Sequence, residues 1–376
     1  MAHRVVVACD KFKGSLTGRQ VLAAIEDGMR AAVPDLEVVG TLIADGGDGT
    51  LDAAQSAGFT RVPVRAAGPL GAPRDSSYVV RGGTAVVEMA EVCGLVHLPG
   101  GRRDALGATS RGLGEVLRAA LEAGAREIVL GIGGSASTDG GAGMLQALGA
   151  RLLDASGEEV APGGGGLAAL ERVDLTGLHP GLASTTITLA SDVNNPLVGE
   201  SGAAAVFGPQ KGATAEDVEL LDAALARFAD LVCAATGRDD RDLPGAGAAG
   251  GVGYAAIAVL GARMRPGIEV VLELTGFASL LEEADLVATG EGALDLQTLL
   301  GKAPAGVAQA AGAVGVPVIA LCGRASLSPE ELERTGIRRI YQLVDLEPDT
   351  AVCMRDADRL LRELAGRAAW DFFADR

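Results

Sequence analysis

Val5-Val6-Val7-Ala8-Cys9-Asp10-Lys11-Phe12-Lys13-Gly14-Ser15 decides how the chain reads: five apolar residues, then at once a carboxylate, two ammonium groups, a glycine and a hydroxyl. The same order returns twice. Residues 38–43 lead into Ala44-Asp45-Gly46-Gly47-Asp48-Gly49-Thr50, and residues 128–130 lead into the glycine- and hydroxyl-rich stretch 131–141. A fourth turn, Thr289-Gly290-Glu291-Gly292-Ala293-Leu294-Asp295, follows Leu286-Val287-Ala288. Apolar runs that do not alternate suit strands buried on both faces, hence a mostly parallel sheet with helices on each side. The turns of such a sheet open at its carboxyl edge, where ligands bind. Glycines there let backbone N–H groups approach phosphate, and aspartates can hold Mg²⁺ or take a hydroxyl proton. Together the four turns read as a phosphoryl-transfer enzyme.

Working outward, the pattern predicts strands at 4–9, 38–43, 61–64, 77–80, 85–89, 127–131, 185–190, 285–289, 317–321 and 339–344. Helices are expected at 17–33, 112–123, 141–150, 215–235, 251–262, 304–313, 329–335 and 352–368. Gly82-Gly83 between two strands is a hairpin signal and points to a second, mixed domain. Residues 68–81, with Pro69 and Pro73, look like a domain crossing, and hinges are expected near 68–73 and 267–276.

With 376 residues the chain suits two domains. Apolar residues make up 48% but aromatics only 3%, so the core must be built from Ala, Val and Leu. The net charge of −17 argues against nucleic acid as a partner, since phosphate neutralisation needs clustered Lys and Arg. Two uncharged stretches, 243–262 and 303–323, are broken by glycines and prolines, which excludes a membrane span. Five scattered cysteines without a C-x-x-C pair and no signal peptide suit a cytoplasmic protein. Only His3, His97 and His179 are present, so a general base is expected among Asp and Glu. No Walker A motif occurs. Gly245-Ala246-Gly247-Ala248-Ala249-Gly250 fits G-x-G-x-x-G, but no strand precedes it, and it reads as a closely packed helix entry.

The polar turns, together with Gly68-Pro69-Leu70-Gly71, Thr109-Ser110-Arg111-Gly112, residues 192–198, Phe207-Gly208-Pro209-Gln210-Lys211-Gly212, and residues 244–253 and 290–304, carry a pattern that resembles the bacterial type I glycerate kinase family over nearly the whole chain. The resemblance implies an α/β protein of two domains. One is a flavodoxin-like parallel-sheet domain built from both chain ends, 1–67 plus 277–376. The other is an inserted α/β domain, 68–276, with the active site in the cleft between them. It further implies ATP and Mg²⁺ as cofactors and D-glycerate as substrate, giving 2-phosphoglycerate, in a monomer or homodimer.

Residue chemistry then suggests roles. Asp192 or Asp45 would act as base or orienter, with Lys211 as a further catalytic cation. Lys13, Ser15, Thr109, Ser110 and Arg111 would hold glycerate. Gly133, Gly134, Ser135, Asp139, Gly290 and Lys302 would surround nucleotide phosphate, and Asp295 and Glu291 would bind the metal. The chain departs from the family pattern at Cys9, Asp48, Asn194 and Ala293. The last two keep a catalytically inactive sensor open as an alternative, beside a kinase for another small hydroxy acid.

Overall fold

The computed structural model describes residues 3–295 and 302–374. The chain divides into two compact units. One comprises Met1–Asp45, Asp52–Ala57 and Ile268–Arg376; the other comprises Gly46–Leu51 and Gly58–Gly267.

The first unit holds five parallel strands in the spatial order Ile337–Gln342, Val318–Cys322, Leu286–Gly290, Arg4–Cys9, Glu37–Leu42. Numbered along the chain this is the 2-1-3-4-5 order of flavodoxin-like sheets, as expected. Side chains alternate between two cores. Val5, Val7 and Cys9 face the helices Gly18–Ala32 and Ala357–Phe373. Val6 and Ala8 face Ile268, Phe277, Val307 and Ala311 on the other side. Thr17 and Gln20 form a reciprocal cap that fixes where the first helix starts. The expected helix 352–368 is in fact two, Thr350–Arg355 and Ala357–Phe373, because Asp356 leaves helical geometry (φ −105°, ψ 20°).

The second unit holds a six-stranded sheet in the order Arg263–Arg265, Thr186–Ala190, Glu127–Gly131, Thr84–Glu88, Pro73–Arg81, Thr60–Ala67. The first four strands are parallel, and the last two join antiparallel. Gly82-Gly83 makes the expected hairpin. Residues 68–72 do not form a crossing between domains: Ala67 pairs with Pro73, and the Gly68 and Ala72 backbones close a second hairpin within this sheet. Thr60–Ala67, which precedes the expected boundary at 67/68, therefore lies in the second sheet. The short strands Arg151–Leu153, Arg172–Asp174 and Arg263–Arg265 escape the sequence pattern because three residues carry no periodicity. No described helix is long and apolar enough to cross a membrane.

The helices Gly18–Ala32 and Ala357–Phe373 touch through Gly28, where a Cβ would overlap the Arg362 carbonyl oxygen. Gly28→Val is expected to destabilise the first unit by about 1–3 kcal/mol through overpacking. Gly312→Ala, in a helix where a Cβ meets nothing within 4 Å, should instead stabilise by about 0.5–1 kcal/mol. Thermal unfolding followed by circular dichroism reads both signs.

Candidate active site

In the first unit the chain runs one way from Arg4–Cys9 to Glu37–Leu42 and the other way through Leu286–Gly290 and its successors. The order reverses between Arg4–Cys9 and Leu286–Gly290, and ligands of such sheets bind beyond the strand ends at that reversal. Asp10 and Glu291 are the first residues after those two strands, and Asp45 follows the neighbouring one. Asp10 donates its N–H to the Gly290 carbonyl at 3.1 Å, which locks the two turns together. Burial lifts the Asp10 carboxyl to about 7. The Lys11 charge and the Lys11 N–H, 2.6 Å from Oδ1, oppose this, while Asp45 and Glu291 push it further up.

The other expected residues of this unit fall around that group. Ser15 donates to the Phe12 carbonyl and shapes the 12–16 turn, and Lys13 is exposed on it. Gly290 is a packing glycine, since a Cβ would overlap the Leu321 carbonyl. Lys302 lies 3.4 Å from Asp295. Gln297, Thr298 and Gly301, in the same polar stretch, fall outside the described residues. Among the described residues no three His, Cys, Asp or Glu side chains are grouped to hold a metal ion.

In the second unit Asp139, wholly buried, is a hub. It accepts hydrogen bonds from the Ser110 N–H (2.7 Å) and hydroxyl (2.8 Å), the Thr109 hydroxyl (3.4 Å), and the N–H groups of Gly141 (3.1 Å) and Gly143 (3.3 Å). The Ser110 hydroxyl also accepts the Met144 N–H at 3.0 Å. Thr109 and Ser110, expected to hold substrate, are both buried and bonded inward. Arg111, the exposed member of that trio, pairs with Glu115 at 3.2 Å.

Lys211, expected as a catalytic cation, is 2% exposed. It donates to the Ser135 hydroxyl at 2.9 Å and the Ser137 carbonyl at 2.5 Å. Ala249, Gly250 and Gly251 all have positive φ, and Gly250 has no space for a side chain, since a Cβ would overlap the Ser137 carbonyl oxygen that Lys211 also contacts. The G-x-G-x-x-G match is thus the close-packed helix entry expected. Gly133 is partly exposed and Gly134 exposed, at the head of the same loop. Asp192 accepts the Gly267 N–H at 3.1 Å.

The sequence reading assigns no role to two residues that the structure brings forward, Asp10 and Glu88. Both carboxyls are lifted to about 7, mainly by burial. The available signal is position: each is an acid at the carboxyl end of an apolar strand.

The chain is similar to known proteins over nearly its whole length. A family model described as the glycerate kinase family matches residues 5–372. A glycerate kinase of Bacillus subtilis (strain 168) is 44% identical over 99% of this chain and 97% of its own. A glycerate 2-kinase of Escherichia coli (strain K12) is 44% identical over 91% and 90%. The crystal structure of a glycerate kinase 2 from Salmonella typhimurium LT2 superposes with a TM-score of 0.86 at 43% identity, covering 100% of this chain and 99% of that one.

Burial lowers Lys211 from 10.5 to about 7, with Asp139 opposing. Between those values the unfolded chain binds more protons than the folded one, so this residue's contribution to stability rises with pH. Lys211→Met removes the titration. The melting temperature of the parent relative to this variant is expected to rise between pH 7 and pH 9.5, as read by calorimetry. A difference independent of pH would show an ordinary lysine.

Proposed function

We propose a mechanism from one premise: the chain belongs to the glycerate kinase family. It is a glycerate kinase that transfers the γ-phosphoryl group of ATP to D-glycerate, giving phosphoglycerate and ADP. The product is 2-phosphoglycerate, as the relative named a glycerate 2-kinase supports.

In this reaction the hydroxyl oxygen of glycerate bonds to the γ-phosphorus while the bond from that phosphorus to the bridging β–γ oxygen breaks. ADP leaves with that oxygen, and the hydroxyl proton must go to a base. We assign the base to Asp10, in place of Asp192 or Asp45. The observation that carries this is a carboxyl at the reversal point of the sheet with its proton affinity raised to about 7. A general base works best with a pKa near the operating pH. Asp45 and Glu291 raise that affinity and orient the group. Mg²⁺ would accompany ATP and neutralise charge on its phosphates, with Glu291 and Asp295 as the carboxylates that would hold it. Lys11, Lys13 and Lys302 supply positive charge to the turns of the first unit. Gly133 and Gly134 offer backbone N–H groups to phosphate in the second, and Arg111 an anion partner. Catalysis is then positioning and charge neutralisation. All five thiols are unpaired, which suits the reducing cytoplasm.

Asp10→Asn is expected to lower kcat by about 10²–10⁴-fold, the usual span of general-base catalysis, with the KM for ATP little changed. Asp192→Asn should lose less than about tenfold, since its carboxylate is engaged by Gly267. In the parent, activity should rise as pH increases through about 7, as Asp10 loses its proton. Coupled ADP release and ³¹P NMR of the product measure all three. A near-normal kcat in Asp10→Asn would sink the assignment. Turnover with another short hydroxy acid but none with glycerate would move the substrate.

A further inference from the structure

Glu88 ends the strand Thr84–Glu88 and is 4% exposed. Its carboxylate crosses to residues 46–51, accepting the Leu51 N–H at 3.0 Å and the Gly49 N–H at 3.4 Å. The segment it grips lies flat on the strand ends of the second unit. A Cβ on Gly46 would sit 2.7 Å from the Ala190 carbonyl oxygen. One on Gly131 would sit 2.6 Å from the Gly46 carbonyl, and one on Gly133 would sit 2.6 Å from Gly47 Cα. The glycines permit this approach but exert no directional pull. Glu88 supplies the direction, through two charge-assisted hydrogen bonds to the turn that immediately follows Asp45.

We infer that Glu88 is a positioning residue for phosphoryl transfer: it holds the 46–51 turn against the strand ends of the second unit, where Gly47 packs on Gly133 of the loop that offers N–H groups to phosphate. The inference rests on the assignment of that loop to phosphate. Glu88 touches no substrate and acts through the turn. Its charge state agrees with this. Burial, with Asp48 and Glu91 nearby, raises its carboxyl to about 7, while the Leu51 and Gly49 amides pull it down. The folded protein holds this proton more tightly than the unfolded chain. Glu88 therefore lowers stability progressively as pH rises from about 4.5 to 7, and the deficit persists above that. A carboxylate kept at such a position serves geometry rather than stability.

Glu88→Gln keeps the shape but offers one acceptor oxygen instead of two. Glu88→Ala offers none. With MgATP and D-glycerate at pH 8, kcat is expected to fall about tenfold in Glu88→Gln and about a hundredfold in Glu88→Ala, the scale of a roughly 1 Å misplacement, with the KM for ATP within about threefold. The melting temperature of Glu88→Gln relative to the parent should increase from pH 5 to pH 8. Hydrogen exchange at the Leu51 amide should quicken about tenfold in Glu88→Gln, while the Val86 and Val129 amides stay protected. The inference is overturned if kcat stays within twofold in both variants. It is equally overturned if activity is lost together with a lower melting temperature at pH 8 and faster exchange throughout the sheet, since that pattern marks a purely structural role. Exchange at Leu51 needs no turnover. Hence a parent protein inactive on glycerate would sink the kinase reading, while the Leu51 amide still decides the grip of Glu88.

Discussion

Asp139, withdrawn wholly from water, gathers the N–H groups of Ser110, Gly141 and Gly143 and the hydroxyls of Ser110 and Thr109, and the polar loops of the second unit depend on it. Turns at the end of a parallel sheet leave backbone groups that no ladder can satisfy. Burying them unpaired costs about 1–3 kcal/mol each. One carboxyl group that accepts several such bonds removes that penalty and fixes the loop at the same time. Lys211 does the reverse for acceptors, donating to the Ser137 carbonyl and the Ser135 hydroxyl. Glu88 repeats the carboxylate device on the 46–51 turn. Three separate polar turns are thus set by the hydrogen bonds of buried polar side chains rather than by the glycines in them. Glycine makes the close approach possible; the directed hydrogen bonds decide which of the possible conformations is kept.

The first unit depends on topology in a different way. All five strands are parallel, so every polar turn emerges on one edge. The reversal between Arg4–Cys9 and Leu286–Gly290 leaves room there, because the connecting segments depart in opposite directions. Only acids at that edge can crowd one another, and crowding plus burial is what raises Asp10. The fold therefore acts on chemistry through proton affinity: it converts an ordinary aspartate into a group that exchanges a proton near neutral pH.

Much of this was legible in the sequence. The strands Arg4–Cys9 and Glu127–Gly131 lie where the apolar runs put them, and the Gly82-Gly83 hairpin follows from its turn residues. Long apolar runs and turn glycines are local signals, and local signals survive folding. The flavodoxin-like sheet came through family resemblance, since strand neighbours are a long-range property that periodicity does not carry. The failures are long-range as well. Ser110 has the chemistry of an anion binder, and nothing near it in sequence reveals that Asp139, 29 residues on, occupies its hydroxyl and its amide. Pro69 and Pro73 signal a break, and they flank a hairpin turn rather than a domain crossing. Asp10 and Glu88 carried a readable position, but their importance lies in burial and in partners distant in the chain, Gly290 for Asp10 and the 49–51 amides for Glu88.

A chain of net charge −17 that handles two anionic substrates needs a locally different field. Lys11, Lys13 and Lys302 supply part of it. Crowding supplies another part. A carboxyl titrating near 7 is ionised only about half the time at neutral pH, so the acidic group around Asp10 carries less negative charge than its composition suggests. The same raised affinity makes Asp10 the stronger base once a hydroxyl is presented to it. An exposed aspartate with its ordinary value of 3.8 would be fully ionised, repel both substrates and be too weak a base by roughly three pH units. Repulsion and basicity are therefore not separate problems at this edge of the sheet. Both are met by placing three acids where none can be fully hydrated, with the Lys11 amide and ammonium keeping Asp10 from becoming permanently protonated. The balance lies between burial, helped by Asp45 and Glu291, and the opposing Lys11 charge and amide, while the Asp10 amide donating to Gly290 ties this turn to a strand some 280 residues later in the chain.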